Sequence, residues 1–198
     1  MTEEIPSVTV LAGPNGAGKS TVARTLLRDK LQVTEFVNAD VIAQGLSGFS
    51  TENVELQAGR IMLDRLRYLA ERQISFSFET TLASRSLVPW LRRLLIEGYE
   101  FHLVYVWIPS PHAAVSRVAN RVRLGGHNVP EATILRRYER SLRNFFQLYK
   151  PLATTWQMYD NSSVNGVRLI ATGCRQIIES VADVELWHDL VEQYGDAP

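Results

Sequence analysis

Residues 8–21 are VTVLAGPNGAGKST, an apolar strand running into a glycine-rich loop and a helix start. The apolar run Val8, Val10, Leu11 leads into Gly13, and Gly13-x4-Gly18-Lys19-Ser20 meets the P-loop template at every position. Gly13, Pro14, Asn15, Gly16, Ala17 and Gly18 form a loop that can curl until successive N–H groups face inward, where they donate to phosphate oxygens. Lys19 adds a mobile positive charge for the β- and γ-phosphates, and the Ser20 hydroxyl is placed to ligate Mg²⁺, with Thr21 completing the segment. Helix formers from Lys19 to about Leu27 would set the phosphates at a positive helix N-terminus. A glycine-rich turn can fit such a template by chance. Here the required strand precedes it and the required helix follows, so the chain is expected to bind a nucleoside triphosphate with Mg²⁺.

Working outward, TEFVNAD (34–40) reads as a short strand ending on Asp40, and residues 52–73 as a helix. Its apolar stripe would be Val54, Ala58, Ile61, Met62, Leu66 and Leu69. ISFSFETTL (74–82) alternates like a strand and ends on Glu79-Thr80-Thr81, and residues 84–98 form another helix. FHLVYVWI (101–108) has the continuous apolar character of a buried parallel strand. Pro109 and Pro111 open a further helix, Gly125-Gly126 interrupts it, and helix resumes from Ala132 to Tyr149. WQMYDN (156–161) and VRLIATG (167–173) read as the last strands, a hairpin around Asn165-Gly166, before a C-terminal helix at about 176–194. This alternation predicts an α/β fold in one domain over 1–198. It would be a three-layer α/β/α sandwich with a mostly parallel sheet, nucleotide-kinase-like, with a helical lid at about 112–145. Ligands then bind beyond the carboxyl ends of the strands, where the P-loop, Asp40 and Glu79 would converge.

Composition narrows the partners. Lysine plus arginine (21) balances aspartate plus glutamate (21), so no global field favours nucleic acid or an anionic membrane. The one cysteine, Cys174, excludes an internal disulfide or a multi-cysteine zinc site and suits a reducing cytoplasm. The N-terminus MTEEIPSVTV is too poor in apolar residues for a signal peptide, and no run approaches membrane-spanning length.

Several residues are candidates for chemistry. Asp40 could accept the proton of an attacking hydroxyl, or cap a helix over 41–45. Glu79 could bind a substrate hydroxyl or hold a water on Mg²⁺, with Thr80 and Thr81 assisting; otherwise it is a surface carboxylate. Arg117 and Arg121 lie four apart on one helix face, and Arg123, Arg136 and Arg137 flank the glycine break. A helix–hinge–helix lid could bring at least two of them to the phosphates, with Arg117, Arg121 and Arg136 as the catalytic candidates, while Arg140 and Arg143 read as solvated. His127 follows the break and either enters the site or bonds locally. Asp160-Asn161 stands at a nucleotide-base position or in a plain turn. FHLVYVWIPS ends without the aspartate that many P-loop ATPases place there for Mg²⁺, which weighs against a motor and towards a kinase.

GPNGAGKST, VNAD, FETTL, GYEFHLVYVW and RVANRVRLGGHNVPEATILRRYERSLRNF together resemble the zeta-toxin family of P-loop kinases, over about residues 7–161. The resemblance implies an ATP-dependent kinase of UDP-N-acetylglucosamine or a related nucleotide sugar. Lys19 and Ser20 match the P-loop pair, Asp40 the base, Glu79 a substrate-binding carboxylate, and Arg117 or Arg121 a lid arginine. It also implies a small-molecule hydroxyl acceptor and, as a possible partner, an antitoxin protein. Well-known members are longer, so the phosphoryl-transfer machinery carries over better than the acceptor. Two other classes compete: an ATP-binding regulatory or toxin–antitoxin-type partner without acceptor chemistry, and a polynucleotide end kinase, for which the neutral charge balance shows no basic groove.

Overall fold

The computed structural model describes residues 5–23, 35–46, 54–163 and 166–195. Seven strands form one sheet: β1 (Ser7–Ala12), β2 (Phe36–Val37), β3 (Phe76–Thr80), β4 (Glu100–Trp107), β5 (Thr155–Asp160), β6 (Arg168–Cys174) and β7 (Ile177–Val181). Their order is β2-β3-β1-β4-β5-β6-β7. The first five run parallel, and β6 and β7 are antiparallel additions at one edge. Flanking helices are α1 (Lys19–Ala23), α2 (Ala39–Leu46), α3 (Glu55–Glu71), α4 (Leu87–Ile96), α5 (Pro111–Arg123), α6 (Glu131–Asn144) and α7 (Val184–Tyr194). The mostly parallel α/β sandwich expected from the sequence is present. Among the described residues no helix is long and apolar enough to cross a membrane.

Burial explains why β1 is an interior strand, between β3 and β4. Val8, Val10, Leu11 and Ala12 are fully buried, as a strand covered on both faces requires. On one face the register aligns Phe76 and Phe78 of β3 with Val8 and Val10 of β1, and Tyr105 of β4 with Met158 of β5. Trp90 of α4 packs its ring against Phe76 and Phe78, while Phe145 beyond α6 packs on Tyr105 and Trp156. Trp187 of α7 stacks on Trp156 with ring planes 8° apart, which fastens the C-terminal helix to the same face. Trp90, Trp156 and Trp187 thus serve packing between sheet and helices.

Three local expectations change. Strand β2 covers only Phe36–Val37, and Asp40 belongs to the first turn of α2, not to a strand end. The cause is Asn38, whose Oδ1 accepts from the N–H of Asp40 at 2.8 Å and of Val41 at 3.4 Å. Asn38, not Asp40, is therefore the helix cap. The stripe of α3 is Ala58, Met62, Leu66, Leu69 and Ala70, with Ile61 turned outward. Residues 177–181 are a strand, so the C-terminal helix starts at Val184, not near 176. A tight turn with Arg175 at φ +52° folds β7 back, and Gly173 leaves no room for a Cβ, which would lie 2.1 Å from the Ile177 carbonyl oxygen. The helix after the P-loop is described to Ala23. Its continuation to Leu27, and Asn165 of the expected hairpin turn, lie outside the described residues.

Candidate active site

The P-loop connects β1 to α1, and three of its glycines have positive φ: Gly13 (+142°), Gly16 (+76°) and Gly18 (+82°). Close approach forbids a side chain there as well. A Cβ on Gly13 would lie 2.3 Å from the Val106 carbonyl oxygen, and one on Gly18 would lie 2.4 Å from Asn161 Nδ2. Asn161, at the end of β5, donates Nδ2 to the Ala17 carbonyl at 2.7 Å and so braces the loop. Asn15 Oδ1 is buried with no hydrogen-bond partner among the described residues.

Lys19 folds back over the loop, donating to the carbonyls of Gly13 (2.9 Å) and Pro14 (3.0 Å), with Glu79 Oε1 3.7 Å away. Burial holds its ammonium below the ordinary lysine value, although Glu79 and Asp40 pull the other way; Arg121 adds to the lowering. One side chain thus feels the charge of two carboxylates and an arginine, which places all four groups in one electrostatic neighbourhood.

Glu79 is the hub of the acidic side. Its Oε2 accepts from Ser20 Oγ at 3.0 Å and from Asn38 Nδ2 at 2.9 Å. The acidic residue that meets the P-loop serine therefore comes from β3. Strand β4, which also borders β1, supplies none, and its lack of an aspartate says nothing against a metal-assisted site. Asn38 was not singled out in the sequence; its position two residues before Asp40, opening a helix after a strand, was the available signal.

A cleft of about 1030 Å³ opens over these residues. Gly16, Gly18, Lys19, Ser20, Thr21, Asp40, Glu79, Thr80 and Thr81 line it, as do Arg117, Arg121, Arg136, Arg137 and His127. Gly13, Pro14 and Ala17 are buried in the loop behind. Arg123 stays outside the lining and bonds Asn120 on its own helix, and Arg140 and Arg143 also lie away from the cleft. Arg117 Nη2 donates to the Asn161 carbonyl at 2.7 Å. Arg121 Nη2 donates to the His127 carbonyl at 2.9 Å, while its Nε is buried without a partner among the described residues. A buried donor left unpaired costs about 1–3 kcal/mol, which an anionic ligand in the cleft would offset. Asp160 does not reach the cleft; Arg168 at 2.7 Å and Ser162 hold it.

The Gly125-Gly126 break is a hydrogen-bonded helix stop. Gly125, at φ +84°, donates to the Val122 carbonyl, and Gly126 donates to that of Arg121. Beyond it α6 is anchored: the Tyr138 hydroxyl donates to the Ile108 carbonyl at 2.8 Å, and Ser141 and Asn144 are buried and bonded.

Sheet order, P-loop and the carboxylates around it define a P-loop kinase-like fold. The chain belongs to the AAA_33 family, described as an AAA domain, whose model matches residues 8–144. A protein of Haemophilus influenzae with no assigned function is 29% identical over 126 residues, covering 64% of this chain and 88% of that protein. Among solved structures, a chain of the AvrRxo1-ORF1:AvrRxo1-ORF2 complex crystallised with sulphate ions superposes with a TM-score of 0.73 at 16% identity. It covers 98% of this chain, which spans 66% of that one. The same complex with ATP gives 0.72. A chain of the PezAT chromosomal toxin–antitoxin system of Streptococcus pneumoniae gives 0.65 at 16% identity, over 98% of this chain and 80% of that one. The zeta-toxin resemblance is thus matched at the level of fold.

Proposed function

We propose that the chain is a cytoplasmic, single-domain ATP-dependent kinase that transfers the γ-phosphoryl group to a hydroxyl of a small molecule, a nucleotide sugar such as UDP-N-acetylglucosamine. The observation that carries this reading is the meeting of Lys19, Ser20, Glu79, Asp40 and Arg121 around one cleft. The loop N–H groups and Lys19 hold the triphosphate, Lys19 leaving the Gly13 and Pro14 carbonyls for phosphate oxygens. Ser20 and Glu79 offer hard-oxygen donors that suit Mg²⁺ and are the residues that would hold it, Ser20 through its hydroxyl and Glu79 through water. The chemistry such an ion would supply is neutralisation of phosphate charge. Among the described residues no group of three or more His, Cys, Asp or Glu could hold a metal alone, so phosphate and water oxygens would complete the shell.

Asp40, exposed on the first turn of α2, takes the proton of the acceptor hydroxyl as its oxygen bonds the γ-phosphorus and the bond from that phosphorus to the ADP oxygen breaks, releasing ADP. Arg121 and Arg136, with Arg117 beside the P-loop, stabilise charge on the transferring group, while Thr80 helps Glu79 bind the acceptor. A lid that swings these arginines would pivot at the turn between α5 and α6, because the Tyr138 hydroxyl ties α6 to the Ile108 carbonyl. The crystal structure of the AvrRxo1-ORF1:-ORF2 complex with ATP supports ATP as the nucleotide bound.

The test is ADP release from Mg²⁺–ATP with and without UDP-N-acetylglucosamine, beside a panel of sugars, nucleosides and alcohols. Stimulation by the nucleotide sugar is expected; stimulation by another acceptor replaces the substrate, and silence across the panel with ATP bound refutes the kinase. A protein partner is a second reading, supported by structural neighbours from the AvrRxo1-ORF1:AvrRxo1-ORF2 complex and the PezAT toxin–antitoxin system. An antitoxin-type protein co-purifying with the chain and blocking turnover would establish it.

A further inference from the structure

Arg121 is held by more than its own helix. Gly126 lies under the side chain: a Cβ there would sit 2.5 Å from Arg121 Cγ, 3.3 Å from Cδ and 3.0 Å from the Arg121 carbonyl oxygen. Gly126 is not among the glycines with positive φ, so the backbone does not require glycine at this position. What the missing side chain supplies is a channel for the arginine stem. The guanidinium end is then tied by Nη2 to the carbonyl of His127. The His127 ring continues the path, its Nε2 lying 2.8 Å from Glu55 Oε1 at the start of α3. A carboxylate only accepts, so that ring nitrogen carries a proton.

Helix α3 is the other end of this path. It lines the cleft with Glu55, Leu56, Gly59 and Arg60, and it packs on α2, the helix that carries Asp40. An arginine has several free torsions to lose before it can serve a transition state, and a seat that removes them beforehand raises the value of the contact.

We propose that Gly126, His127 and Glu55 are positioning residues that seat Arg121 and make its placement depend on helix α3, on the base side of the cleft. The proposal rests on the reading that Arg121 touches the triphosphate. In it, Gly126 keeps the stem down, the His127 carbonyl aims the head, and the Glu55–His127 bond fixes the loop that offers that carbonyl. A ligand that moves the start of α3 therefore moves the arginine.

The experiment is a double-mutant cycle on the full chain, read as affinity for a fluorescent ATP analogue with Mg²⁺ and, in parallel, for its ADP counterpart. Arg121→Ala is expected to lower the preference for ATP over ADP about tenfold, and Gly126→Ala to reproduce most of that loss. The pair together should be no weaker than Arg121→Ala alone. Glu55→Ala removes a half-exposed carboxylate, so it leaves the fold intact, and its loss of about twofold to fivefold should vanish in the Arg121→Ala background. Wild-type binding by Arg121→Ala or by Gly126→Ala, or losses that multiply in the pair, overturns the seat. The cycle is read on binding, so it stands or falls separately from the kinase reading, which acceptor-stimulated ADP release decides.

Discussion

At the scale of the residue, the site sets Lys19 and Asp40 in opposite conditions. Asp40 is exposed beside the cleft, and Lys19 is buried under it. Asp40→Asn keeps the shape and removes the proposed base, so nucleotide affinity should hold while turnover falls about 10²–10⁴-fold. Acceptor-stimulated turnover within threefold of wild type would remove Asp40 from the mechanism. For Lys19 the sign follows from its depressed value. The folded state disfavours the ammonium, so its burial costs stability below the folded value, and stability recovers as pH rises from there to 10.5. Lys19→Met should therefore melt no lower than wild type at pH 7 without ligand, and the gap should close towards pH 10.5. The same variant should lose the rise in Tm that ATP gives the wild type. A ligand-free variant several degrees less stable would show that the Gly13 and Pro14 carbonyl bonds outweigh desolvation.

At the scale of the element, the loop after β3 is held from below by α6 and the turn that follows it. Leu82 is buried at φ +60°, a conformation that a branched side chain adopts only under constraint. Thr80 Oγ1 accepts from the Leu82 N–H, Asn144 Nδ2 donates to the Leu82 carbonyl at 2.8 Å, and the Tyr149 hydroxyl donates to that of Ser84 at 2.6 Å. These bonds shape the segment that presents Thr80, Thr81 and Ser84 to the cleft. Asn144→Ala leaves the Leu82 carbonyl unpaired in the interior and should cost about 1–3 kcal/mol in denaturant unfolding. On the proposed function it should also raise KM for the acceptor while ATP affinity stays near wild type. An unchanged unfolding midpoint would mean that the loop holds its shape without α6.

At the scale of the whole molecule, buried phenols join sheet, helix and loop. Tyr105 bonds Ser141, Tyr138 bonds the Ile108 carbonyl, and Tyr149 bonds that of Ser84. Burial raises all three above the usual tyrosine value of 10.0, Tyr149 to about 12 and the others also upward. A raised acid is neutral in the fold where the unfolded chain has already ionised. Their contribution is therefore complete below pH 10 and lost as pH climbs through the folded values. Stability to urea should be free of tyrosine effects up to about pH 9.5, then fall by up to about 1.4 kcal/mol per pH unit per tyrosine. Tyr149→Phe should shallow that fall between pH 10 and 12, and an identical slope in the variant would exclude this tyrosine.

What the chain alone determined is local chemistry and period. Gly13-x4-Gly18-Lys19-Ser20 dictates a loop because its glycines admit positive φ, and FHLVYVWI declares a buried strand because every position in it but His102 is apolar and buried. The parallel sheet followed from strands alternating with helices. Tertiary structure decided what lies beside what. That Ser20 meets Glu79 across 59 residues depends on β3 settling next to β1, an order that no spacing encodes. Asn38 took the cap from Asp40 because its amide also reaches Glu79, a contact made only after the strands assemble. The run Ile177–Val181 became an edge strand, exposed on most of its length, so its pattern carried no burial signal. Side-chain partners in three dimensions are set by packing, and packing is a property of the whole chain at once.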